Sequence, residues 1–379
     1  MEIKNLQEAA SRILKAVEDK ENIILYGDSD LDGATSVIIL NESIQTLGGN
    51  VSAIYFPDRV KEGHGITIQA LDELKKFLPA LLVSVDCGIG NVEEIKKAKR
   101  LGFDVVVVDH HKVLDELPNA DIIVDPKQVG DMSIFKEFAA VGIVFKLSKL
   151  LLQDKMSASL KANFLELTAL GTIADMMPQV DENKVFIERG LDSLKDSWRP
   201  GIKVFFEDGF LNDRERFYDI VSEMVSILNV QVRINRAPAC FEVLTETSLE
   251  TLKVLVRSLK EQYENKHRNI ARLVERIEKK IEGSKDPIVF EGGKKYEYML
   301  IPGAASIISR TFEKPTFLFK KMEKESLGTV RSLMNIDSVD LMKKCKEYVI
   351  TYGGHPRASG FRIKNSNLKK FKTCLIEKI

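Results

Sequence analysis

Residues 23–36 read IILYGDSDLDGATS, and the reading of this stretch decides the fold. Its first four residues are a short, wholly apolar run without polar alternation, which predicts a strand buried on both faces of a mostly parallel sheet. Three carboxylates then fall within five positions, Asp28, Asp30 and Asp32, and Gly33 opens a helical pattern. Carboxylates this crowded repel one another unless a cation neutralises them, and oxygen-rich clusters suit hard cations such as Mg²⁺ or Mn²⁺. The D-x-D-x-D-G start resembles a calcium-binding EF-hand loop, but position 12 counted from Asp28 is Ile39 where that loop needs glutamate. A strand rather than a helix precedes the motif, so the EF-hand reading fails. Capping of the following helix accounts for one carboxylate and leaves two to explain.

Outward from this stretch the pattern repeats. Residues 51–56, 81–85, 105–108 and 122–124 are further apolar, β-branched runs, separated by helix-forming segments such as 92–101, which ends at Gly102. This βαβ series predicts an α/β sheet with helices on both faces. Helical patterns follow at 135–152 and 160–177. A long, highly charged helix is expected over 249–282, with Leu252, Leu255, Leu259 and Tyr263 as a partial apolar stripe. A smaller α/β unit then runs to the end. The expected organisation is a parallel-sheet domain over 1–215, a helical connector over 216–284 and a C-terminal domain over 285–379.

Three more constellations carry chemistry. Asp86 directly follows the run 81–85, where ligands bind in open parallel sheets. Asp109, His110 and His111 follow the run 105–108. Adjacent residues leaving a strand point in different directions, so one imidazole can ligate metal while the other faces substrate and Asp109 orients a ring. Asp175 lies in the nearly uncharged segment 167–178 (LTALGTIADMMP), where an unpaired carboxylate is costly to bury. Asp28, Asp30, Asp32, Asp86, His110 and Asp175 together suffice for two divalent cations with a shared carboxylate, the arrangement that hydrolyses phosphodiesters.

The 379 residues carry equal numbers of acidic and basic groups, but unevenly. From residue 294 onward there are 18 Lys and Arg against 8 Asp and Glu, leaving 38 against 48 before it. That asymmetry fits a metal-holding part joined to a phosphate-holding part. Cys87, Cys240, Cys345 and Cys374 are scattered without a CxxC pair, which argues against a disulfide framework and a thiolate zinc site. Residues 1–20 read as an amphipathic helix, and no run approaches the ~18 apolar residues of a membrane span. A cytoplasmic protein is expected.

Taken in order, GDSDLDGATS (27–36), VDCGI (85–89), DHH (109–111) and LGTIAD (170–175) resemble the successive motifs of the DHH phosphoesterase family, within it the RecJ-like single-strand exonucleases. Arg59, with EGHG at 62–65, resembles the family's Arg-x-x-Glu-Gly-Tyr-Gly segment, His64 replacing the tyrosine. AVGIVFK (140–146) resembles a helix of the same branch, and GGHPRASGF (353–361) its C-terminal glycine-glycine-histidine signature. The resemblance implies a metal-dependent exonuclease acting on an end of single-stranded DNA or RNA, in DNA repair or replication. Two divalent cations are implied, Mn²⁺ ahead of Mg²⁺, with Asp28 ligating or orienting water, Asp109 positioning a histidine and His111 on the scissile phosphate. Substrate would be held by Arg59, Ser309, Arg310, Arg331, Ser332, Gly353, Gly354 and His355. The segment 301–308 lacks the family's bacterial Trp-His-Pro-Gly start, and no oligonucleotide-binding fold is expected after the last motif. That compact form is more similar to archaeal RecJ-like nucleases, some of which associate with GINS. The alternatives are a phosphodiesterase of short oligonucleotides or cyclic dinucleotides, and a replication scaffold on a nuclease fold.

Overall fold

Residues 23–26 have no turn former before Gly27, and residues 22–27 build an interior strand of a five-stranded parallel sheet. The computed structural model describes residues 2–113, 116–207 and 217–379, which form two compact units divided between Glu261 and Gln262. In the first unit the elements run α1 (Leu6–Glu18), β1 (Asn22–Gly27), α2 (Leu31–Thr46), β2 (Val51–Tyr55), α3 (Ile68–Leu74), β3 (Ala80–Val85), α4 (Val92–Leu101), β4 (Phe103–Val108) and β5 (Ile122–Val124). The strand order is β2-β1-β3-β4-β5, every pair parallel. The order reverses between β1 and β3, and the crevice outside the carboxyl ends of those two strands is where such sheets bind ligands.

Alternation along the strands sends Ile24 and Tyr26 to one face, where they pack with Leu82, Val105 and Val107 against Leu71 and Leu74 of α3 and Ile95 of α4. On the other side lies α2, buried on nearly every side between the sheet and the helices α5 (Ala140–Leu152) and α6 (Ala158–Ala174). That surround explains why residues 34–40 are apolar or small without a polar face. The unit is completed by α7 (Asp181–Leu194), α8 (Pro200–Lys203), α9 (Phe217–Leu228), a short hairpin β6 (Arg233–Ile234) and β7 (Ala237–Pro238), and α10 (Ala239–Thr245). The expected boundary at 215/216 lies outside the described residues.

Helix α11 (Leu249–Ile281) carries two apolar stripes rather than one. Leu252, Val256 and Leu259 are buried in the first unit, while Ile270, Leu273, Val274 and Ile277 are core residues of the second. The later stripe was masked in the sequence by the Glu, Arg and Lys between its members. The second unit adds β8 (Val289–Gly293), α12 (Ile301–Phe312), β9 (Thr316–Lys321), β10 (Glu325–Arg331), α13 (Ser338–Lys343), β11 (Val349–His355), β12 (Ala358–Lys364) and α14 (Leu368–Lys378). Its sheet order is β11-β12-β10-β9-β8, antiparallel except for the β8–β9 pair. Leu318 faces α11 and α12; Phe317 and Phe319 face the opposite layer with Phe361 and Phe371.

The cysteine reading needs one correction. Cys345 and Cys374 form a disulfide, Cα atoms 6.1 Å apart, joining the end of α13 to α14. Their 29-residue separation leaves no local spacing signal, because packing of the two helices brings them together. Cys87 and Cys240 are buried free thiols. No helix among the described residues is long and apolar enough to cross a membrane.

Candidate metal centre

Four strands deliver acidic or imidazole side chains to one edge of the first sheet. Asp28 follows β1, Asp86 follows β3, Asp109 to His111 follow β4, and Asp125 follows β5. Asp86 sits in the left-handed region at φ 59°, a conformation aspartate tolerates better than most residues but which still costs free energy.

The turn after β1 is built by its own carboxylates. Asp30 is the N-cap of α2, accepting from Gly33 N at 3.1 Å. Asp32 points away from that helix and caps another: Ala140 N and Val141 N donate to its two oxygens, each at 2.8 Å. The expected helix over 135–152 therefore starts only at Ala140, because its orphan N–H groups find an acceptor from 108 residues away. Each Asp32 oxygen retains a second lone pair for a cation.

Two donor sets result. Asp28, Asp30 and Asp86 each bring an oxygen within 4.8 Å of the others, as do Asp32, His110 and Asp175 with their own donor atoms. His110, fully buried, joins the sets: its Nε2 lies 3.2 Å from Asp86, 3.6 Å from Asp175 and 3.9 Å from Asp32. Asp175 Oδ2 is buried with no hydrogen-bond partner among the described residues. Burial, followed by repulsion from Asp175 and Asp30, pushes the Asp32 carboxyl well above its usual range. Burial, with Asp32, Asp30 and Asp28, does the same to Asp86. Asp175 rises to about 7 through burial and Asp30. The orphaned buried oxygen of Asp175 and carboxylates driven toward protonation call for a positive charge, so the donor set fits divalent metal.

The sequence-predicted residues Asp28, Asp30, Asp32, Asp86, His110 and Asp175 are thus brought together in one unit. Asp109 and His111 stand beside them. Asp109 accepts from Ile89 N at 2.9 Å and His110 N at 2.7 Å, and lies 2.7 Å from His111 Nδ1. Burial alone would lower the His111 pKa, but Asp109 overrides it and raises the ring to about 9. Arg59 donates to Asp28 at 2.9 and 2.6 Å and to Asp30 at 2.8 Å. Burial and Arg59 lower the pKa of His64.

In the second unit Arg331 is fixed by Ser306 Oγ (3.0 Å) and Thr329 Oγ1 (3.0 Å) through Nε and Nη1. Ser309 donates to the carbonyls of Lys314 and Arg331, so it braces the strand that carries the arginine. Arg310 is exposed on α12, and Ser332 Oγ is buried without a hydrogen-bond partner among the described residues. Gly353, Gly354 and His355 end β11, with Gly354 at φ 123°, where an added Cβ would lie 2.7 Å from Ala358 O.

Three residues escaped the sequence reading. Arg233 donates to Ser29 Oγ (3.3 Å) and to the carbonyls of Phe56 (2.9 Å) and Pro57 (2.8 Å), bracing the loop that carries Arg59. Its only signal was Asn235, a turn former that adopts φ 48° in the β6–β7 hairpin. Asp125 is fully buried and pushed up to about 7 by burial and Asp109. It had the same strand-end signal as its neighbours. Ser306 shows its role only through the bond to Arg331.

Gly33 makes the motif testable. A Cβ there would lie 2.3 Å from the Asp28 carbonyl oxygen, which cannot move without displacing the carboxylates. Gly33→Ala should lower stability by about 1–3 kcal/mol in urea unfolding and largely abolish Mn²⁺-induced stabilisation.

The chain is similar to known proteins in sequence and in fold. Residues 22–172 match the DHH family, N-terminal domain. The single-stranded-DNA-specific exonuclease RecJ of Bacillus subtilis is 32% identical over 382 aligned residues, covering 99% of this chain and 48% of that protein. A crystal structure of exonuclease RecJ bound to manganese superposes with a TM-score of 0.79 at 24% identity, covering all of this chain and 94% of the other. RecJ from Thermus thermophilus in complex with Mn²⁺ gives 0.83 at 24% identity, over 100% of this chain and 55% of that one. The chain spans about half the length of the first two curated relatives it matches.

Proposed function

We propose that this chain, whose residues 22–172 match the DHH family's N-terminal domain and whose fold is RecJ-like, is a metal-dependent exonuclease hydrolysing phosphodiester bonds from an end of single-stranded nucleic acid. The observation that carries this reading is the meeting of two largely buried donor sets at His110 and Asp86, 3.2 Å apart, on the carboxyl edge of the sheet. Asp28, Asp30 and Asp86 would hold one divalent cation, and Asp32, His110 and Asp175 the other. Mn²⁺ suits oxygen donors with one imidazole, and Mg²⁺ is the alternative. The bound pair supplies a nucleophile at neutral pH and charge neutralisation at the leaving oxygen.

The chain's own groups do the rest. His111, kept protonated at neutral pH by Asp109, offers a cationic N–H to the non-bridging oxygens of the scissile phosphate. Asp109 is the positioning residue, fixing that ring through Nδ1. Arg59 adds a planar cation that matches a phosphate as well as it matches Asp28. In the second unit, Arg331 and Arg310 grip strand phosphates together with Ser309, Ser332, His355 and the backbone N–H groups of Gly353 and Gly354. Arg331 is pre-oriented by Ser306 and Thr329, and Nη2 is not used in those bonds.

Matched DNA and RNA single strands, labelled at either end, test the proposal with Mn²⁺, Mg²⁺ or EDTA. Metal-dependent laddering from one end is the expected result and gives polarity and sugar preference together. Cleavage confined to dinucleotides would replace the exonuclease reading with a short-oligonucleotide phosphodiesterase. Folded protein inert with every metal would contradict both.

A further inference from the structure

Helix α14 presents a second charged feature. Residues 343–379 contain ten Lys and Arg against two Asp and Glu. A cleft of about 560 Å³ opens between α14 and the segment following α13, and Lys344, Lys369, Lys370 and Lys378 line it with Tyr348. Glu347 and Glu377 are the acidic groups on its rim. All four lysines are exposed, and among the described residues none forms a salt bridge, whereas nearby Lys372 pairs with Asp286 at 2.6 Å. Like charges gathered around a cleft repel one another, so stability alone does not call for this arrangement. The walls are fastened: the Cys345–Cys374 disulfide ties them together, and Asn367 Nδ2 donates to Tyr348 O at 3.0 Å.

We infer that this cleft is a binding surface for the phosphodiester backbone of single-stranded nucleic acid, separate from the arginine and glycine-glycine-histidine residues of the same unit. The inference rests on the nuclease reading for its choice of polyanion. Lys370 and Lys378 lie eight residues apart on one helix, roughly 12 Å along its axis, which spans about three to four stacked nucleotides. Half-buried Tyr348 gives the cleft an aromatic wall for a base, a feature that acidic peptides do not need. The consequence is tighter holding of long strands than of dinucleotides.

The test compares the full chain with the variant K344Q/K369Q/K370Q, using fluorescence anisotropy of a labelled DNA strand of about twenty nucleotides over a range of salt, with Ca²⁺ replacing Mn²⁺ to suppress hydrolysis. Three lost phosphate contacts should lower the slope of log affinity against log salt by about 2 and weaken binding at least about tenfold at low salt. Dinucleotide cleavage in Mn²⁺ should stay at the wild-type rate. Should the triple variant fail to fold, K378Q alone should lower the slope by about 0.7. Unchanged slope and affinity in folded variants would overturn the cleft while leaving the nuclease reading intact. Wild-type protein that cleaves no substrate would contradict that reading instead. Polyglutamate competing as well as an oligonucleotide of equal charge would also overturn the inference, by assigning the cleft to acidic protein.

Discussion

Asp86→Asn should cut strand cleavage at least about a thousandfold and, without metal, raise the melting temperature. The two effects share one cause. Asp86 is buried within reach of Asp28, Asp30, Asp32 and Asp175, and that crowding drives its carboxyl well above the usual range. A neutral isostere relieves the repulsion but removes a charged oxygen from the Asp28, Asp30 and Asp86 set, where that set meets His110 of the other at 3.2 Å. Calorimetry in EDTA and in Mn²⁺ separates the effects: metal should stabilise the wild type strongly and the variant weakly. The wild type should also lose stability in EDTA as pH rises. Asp175, with its folded pKa raised to about 7 by burial and Asp30, contributes stability that is complete below its ordinary value of 3.8 and lost by about 7. His111, raised to about 9 by Asp109 against burial, contributes stability complete below 6.5 and lost by about 9. Both trends run downward through neutrality, and Mn²⁺ should flatten the Asp175 part.

Arg199→Met should cost about 3 kcal/mol of folding stability without touching the metal centre. The guanidinium is 4% exposed and donates to Glu42 at 2.8 and 3.0 Å, Asn163 at 2.6 Å and the Leu244 carbonyl at 2.8 Å. It therefore fastens α2, α6 and α10 to one another around a polar network that continues through Glu166 and Ser197. Removing it leaves Glu42 without its cation and Asn163 short of a donor. Glu42 keeps a quarter of its side chain exposed, which puts the cost near the lower end for a broken buried pair. Urea unfolding measures the loss, and the double variant R199M/E42M should recover much of it. A loss below about 1 kcal/mol would mean that the network is structurally idle.

The contrast between these two sites shows what a sequence discloses. The strands of the first sheet are mostly apolar, and Asp28, Asp86, Asp109 and Asp125 all directly follow such strands, so local order along the chain already encodes the centre. Asp175 was legible for a different reason, as a carboxylate in a segment with nothing nearby to pair it. Long-range partnerships left no such trace. Arg199 meets Glu42 across 157 positions, Asp32 sets the start of α5 across 108, and Arg233 reaches Pro57 across 176. The second stripe of α11 was hidden because four apolar side chains among many charges look like a solvated helix until another body covers them. Cys345 and Cys374 were equally silent.

The most direct measurement is the number of Mn²⁺ ions held per chain, by metal analysis after equilibrium dialysis with electron paramagnetic resonance on the same samples. Two ions per wild-type chain with a spin-coupled spectrum, falling to one or none in Asp86→Asn, is the predicted result. A single uncoupled ion in fully active wild-type protein, or two ions retained by the variant, would contradict the shared two-metal centre.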